Sequence, residues 1–127
     1  MQGKYLYEYA VIRVVPRVER EEFLNVGIIL FSKEAKYINL LYKIDDKKLL
    51  CFHNELDLEL IHSTLDSFHK IACGMQEGGI IAQLVVEERF RWITAEKSSC
   101  IQTSRPHLGF SVDLDDTINR LFEELVL

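Results

Sequence analysis

The chain is predicted to be α+β: an antiparallel sheet of about four strands in the order β-β-β-α-α-β-α, with helices packed on one face. Three observations predict it. The first three apolar segments are short, rich in Tyr, Val and Ile, and joined by short polar links, which favours an antiparallel meander. A later segment changes to helical periodicity. The chain has 127 residues, 48% hydrophobic and 28% charged, which suits one globular domain spanning 1–127.

Residues 4–15, KYLYEYAVIRVV, read as the first strand, closed by Pro16. Alternation puts Tyr5, Tyr7, Tyr9, Val11 and Arg13 on one face and Leu6, Glu8, Ala10, Ile12 and Val14 on the other. Residues 23–31, FLNVGIILF, are apolar on both faces and so form an internal strand, where Gly27 signals a bulge or a close backbone approach. Residues 37–44, YINLLYKI, are the third strand. Lys43, Asp45, Asp46, Lys47 and Lys48 mix signs and read as a solvated turn.

The first helix is expected to be capped by Asn54, with Leu58, Ile61, Leu65, Phe68 and Ala72 facing a core and Gly74 ending it. His62, Asp66 and His69 share its solvent side, and a wetted face is the expected reading. No metal or cofactor is expected. Gly78-Gly79 breaks the chain, residues 86–95 lean to a short helix, and 98–104 read as a fourth strand. Pro106 and Gly109 mark a turn. Asp113 caps a last helix whose stripe is Ile118, Leu121, Phe122 and Leu125.

The 20 acidic residues against 15 basic ones give a net charge of −5, which points away from a phosphate-backbone clamp. The alternative of a nucleic-acid module rests on the tyrosine row and Arg13, and it lacks the expected Gly-aromatic motif. Cys51, Cys73 and Cys100 are odd in number and widely spaced, so reduced thiols in a cytoplasmic protein are expected. The longest apolar run, Val26 to Phe31, is too short for a membrane span. Nothing at the N-terminus resembles a signal peptide.

Chemistry concentrates between Arg89 and His107, where Arg89, Arg91, Lys97 and Arg105 face one acid, Glu96. Hydroxyls, an amide, cations and an imidazole together suit an anion. The candidate ligand-binding set is Arg13, Asn25, Arg89, Arg91, Ser98, Gln102, Ser104 and His107, and a nucleotide-sized anion is one ligand it would take. Trp92 is the candidate interface residue. His107 beside a serine raises a second alternative, a small phosphoester or acyl-ester hydrolase, although no acid is tied to His107 by spacing and no nucleophile elbow is present.

Three stretches carry a family resemblance. They are Tyr9-Ala10-Val11-Ile12-Arg13 running to Pro16, Glu22 to Phe31, and Arg89 to Ala95 followed by Ser98, Ile101-Gln102, Ser104, His107 and Gly109. The pattern resembles the bacterial family named "domain of unknown function 3037", from about Tyr7 to the last helix. Where that family often has Pro-Arg, this chain has Glu96-Lys97, which keeps a cation and loses the planar fork. The resemblance implies no assigned activity. Through the family's gene neighbourhood it implies a non-catalytic accessory role with a protein partner, a HipA-like kinase being the first expectation.

Overall fold

The computed structural model describes residues 3–95 and 100–127. The strands are β1 (Tyr5–Val14), β2 (Leu24–Ser32), β3 (Tyr37–Tyr42), β4 (Ile101–Thr103) and β5 (His107–Ser111). The helices are α1 (Asp46–Phe52), α2 (Leu58–Ala72), α3 (Gly79–Ala82), α4 (Val86–Thr94) and α5 (Leu114–Leu125). The α+β class and the antiparallel sheet agree with expectation. The five-stranded sheet runs β3-β2-β1-β4, with β5 also paired to β1.

Strand β1 is ten residues long, so its outer edge accommodates two short strands end to end. Strand β4 pairs with Ile12 to Val14 and β5 with Tyr5 to Tyr9. Its inner edge pairs with β2, and the register slips between Ile12 and Arg13. Ile12 faces Gly27 while Arg13 faces Asn25, so Val26 is the extra residue of a bulge. Gly27 is needed there, because a Cβ would come within 2.9 Å of the Leu41 carbonyl. The bulge turns Val26 into the core and leaves Asn25 on the opposite face.

The sheet is apolar on both sides, and this corrects the expectation of helices on one face. Ala10, Ile12, Val14, Ile29 and Phe31 pack with Leu49 of α1, Ile61, Leu65 and Phe68 of α2, Ala82 of α3 and Phe90 and Ile93 of α4. On the reverse face Tyr7, Val11, Ile28 and Leu30 pack with Leu114, Ile118 and Leu121 of α5. Strand β2, apolar all round, requires cover on each side. Helix α5 is tied down by Tyr37, whose hydroxyl donates to Asp115 Oδ1 at 2.6 Å. Leu125, expected in the buried stripe, is exposed.

Four local expectations also need correcting. The mixed-charge run is no turn, since Asp45 accepts from Lys48 N at 3.1 Å and starts α1. Helix α2 is capped by Asp57, which accepts from Leu60 N at 3.1 Å, and not by Asn54. The fourth strand covers Ile101–Thr103 only, residues 98 and 99 lying outside the described part. The segment around Gly109 is strand β5: the Tyr7 ring occupies the space where a Gly109 side chain would stand, so the glycine fits a paired strand.

Two predictions follow from these contacts. Asp57→Ala should lower stability by about 1 kcal/mol, the usual value of a helix cap, while Asn54→Ala changes little; urea unfolding of the two variants checks this. Burial, aided by the hydrogen bond to Asp115, pushes the Tyr37 pKa up to about 12. A phenol whose folded pKa is raised contributes stability that is full below its unfolded value, near 10, and lost as pH rises from there towards the folded value. Thermal melts across that alkaline window should therefore fall more steeply for the native chain than for Tyr37→Phe.

Candidate functional site

The residues expected to converge are divided by the sheet. Arg13, Asn25 and Gln102 form a row across β4, β1 and β2, Arg13 being in register with both neighbours. They lie on the α5 face. Asn25 Nδ2 donates to the Leu125 carbonyl at 3.0 Å, at the end of α5. The Arg13 guanidinium carbon sits 4.1 Å from the centre of the Phe23 ring. Among the described residues its buried Nε has no partner, and neither has the buried Asn25 Oδ1. A cavity of about 270 Å³ adjoins Asn25 and is also lined by Lys43, Asp45 and Lys48.

Arg89, Arg91 and Trp92 belong to α4 and the other face. Arg89 Nε donates to the Leu84 carbonyl at 2.8 Å, and Nη1 donates to those of Ala72 at 2.9 Å and Ile71 at 3.4 Å. It thereby gives the Ala72 carbonyl, at the end of α2, a donor. Arg91 makes a bidentate pair with Glu8 at 3.0 and 2.8 Å, which holds its pKa above the ordinary value. Trp92 is 39% exposed and meets Phe68 of α2 edge-on, with ring centres 6.1 Å apart.

Ser104 is buried and has a structural task. It sits where β4 has ended and β5 has not begun. Its Oγ accepts from Val11 N at 2.9 Å and donates to the Arg105 carbonyl at 3.0 Å, while its own N–H donates to the Val11 carbonyl at 2.8 Å. It completes the ladder across the gap. His107 opens β5 with its ring centre 5.1 Å from that of Tyr9. Among the described residues no hydroxyl or carboxylate is hydrogen-bonded to it. Burial also pushes the Cys100 thiol pKa up, away from the reactive thiolate. Ser98 lies outside the described residues.

The tyrosine row is largely covered. Tyr7 is buried and Tyr9 half-buried in the cluster with α5, leaving Tyr5 as the exposed ring. On the first helix of the sequence reading, His62 pairs with Asp46, Asp66 with Lys70, and His69 with Cys73. No group of metal-holding residues occurs among the described residues.

A surface not expected from the sequence lies on the α4 side, where the sheet extends past its helices. Leu6 is 40% exposed, Leu108 70%, Phe110 56% and Val112 68%. Leu6 is paired with Phe110, and Leu108 with Glu8. Among the described residues, the outer edge of β5 pairs with nothing. The alternation of Leu108, Gly109, Phe110 and Ser111 carried the signal, but reading Gly109 as a turn concealed it.

The architecture is an α+β sheet covered on both faces, with a polar row at one end and an open apolar edge at the other. The chain matches the family described as "Protein of unknown function (DUF3037)" over residues 9–126, and it belongs to that family. No curated protein and no solved structure matches it. No helix among the described residues is long and apolar enough to cross a membrane.

Ser104→Ala would leave the Val11 N–H buried without an acceptor. That change should cost about 1–3 kcal/mol, measured by urea unfolding, and faster exchange of the Val11 amide should accompany it.

Proposed function

We propose that this chain is a non-catalytic accessory domain that binds an extended segment of a partner protein along β5. The observation that carries the reading is the β5 edge with the apolar row Leu6, Leu108 and Phe110 beside it. An unpaired edge is a template for an added strand, and proteins that keep one solitary usually blunt it with Lys, Pro or a bulge. Strand β5, HLGFS, has none of these within it. Backbone pairing would supply affinity, and Leu108 and Phe110 would receive alternate side chains of the incoming strand.

A HipA-like kinase, expected from the family's gene neighbourhood, is the first partner to test. The reduced thiols read from the sequence support a cytoplasmic setting. The tagged protein should recover a stoichiometric partner from its native host, and Phe110→Arg or Leu108→Arg should lose it while keeping the native circular dichroism. A protein that stays solitary under gentle conditions, or a partner retained equally by both variants, overturns the reading.

A further inference from the structure

We infer that the row Gln102–Arg13–Asn25 is a binding site for the oxyanion of a small ligand, phosphate or carboxylate, with the Arg13 guanidinium as its anchor. This site lies on the α5 face and is independent of the β5 edge.

The other arginines with defined partners show what is unusual about Arg13. Arg89 is occupied by backbone carbonyls, Arg91 by Glu8, Arg20 by Glu22 and Arg120 by Glu124. Arg13 is half-buried in the middle of a sheet, yet among the described residues its side chain has neither an ion pair nor a hydrogen bond. Leaving a buried charged donor unmatched is costly, so such a group calls for an acceptor. A planar fork held in place is the side chain best suited to a carboxylate or a phosphate.

The surroundings fix that fork. Phe23, 43% exposed, lies beneath the guanidinium, a stacked arrangement that limits its rotamers and favours the cation. Asn25 is held by the Leu125 carbonyl, and its buried Oδ1 still lacks a donor. Arg13 Nε and Asn25 Oδ1 are both enclosed by protein atoms, so an oxyanion would meet the outer nitrogens of the Arg13 fork, which Nε and the Phe23 ring hold in place. Beyond Asn25 the cavity of about 270 Å³ has Lys43 and Lys48 in its wall. Asp45, also in that wall, has a carboxylate oxygen bound to the Lys48 N–H.

Inorganic phosphate and citrate, titrated separately into the full chain, are the probes, with arginine Nε–H resonances and calorimetry as readouts. We expect a saturating shift of the Arg13 resonance with at least one of them. Arg13→Gln should weaken that binding about ten-fold or more, the value of a charged hydrogen bond. Arg13→Lys should weaken it as well, because the fork and the stacking are lost. Arg91→Gln and Phe110→Arg should bind as the native chain does. Saturation by neither probe overturns the assignment, as does a shift that is linear in added salt or binding indifferent to both Arg13 substitutions.

Discussion

The arrangement depends on one joint, the point on the outer edge of β1 where β4 stops and β5 starts. A ten-residue strand presents more ladder than either short strand can fill. Ser104 closes the gap with its side chain on the Val11 N–H and its backbone on the Val11 carbonyl. With that rung in place, Gln102 stands across from Arg13, and Phe110 stands across from Leu6. Both proposed surfaces therefore inherit their register from a single serine.

The inner edge of β1 contributes the second constraint. Without the bulge at Val26, Asn25 would point with the core residues and Arg13 would have an apolar neighbour. The cost of the bulge is a position that only glycine tolerates, since Gly27 lies against the Leu41 carbonyl. The same sheet then separates the cations by face. Arg13 lies with α5, while Arg89 and Arg91 lie with α4 and are taken up by carbonyls and a carboxylate.

Much of this fold was legible. The alternation in β1, the apolar β2 with its glycine, the α2 stripe and the Asp113 cap depend on local periodicity and local hydrogen bonds, and sequence shows these directly. The site row was legible in part, because Arg13 and Gln102 announce their faces by alternation. What could not be read depended on distant partners. Gly109 is a turn signal in isolation and a strand residue only because Tyr7 lies against it. The cap choice between Asn54 and Asp57 is decided by where the chain leaves α1, and Arg89 has its role only once the end of α2 is beside it.

The acidic total of −5 takes its meaning from these placements. A surplus of carboxylates would normally find every available cation, and most arginines here are indeed paired or bound to carbonyls. Two features keep Arg13 apart. Its strand neighbours are amides rather than acids, and its hydrophobic support, Phe23, offers a quadrupole instead of a carboxylate. On α5 the Leu125 carbonyl is held by Asn25, while Glu124 pairs with Arg120 on its own helix. In an acidic protein, a cation ringed by neutral donors and acceptors is the group the proposed oxyanion site needs, and the net negative charge of the chain opposes the approach of large polyanions more than that of a single small oxyanion.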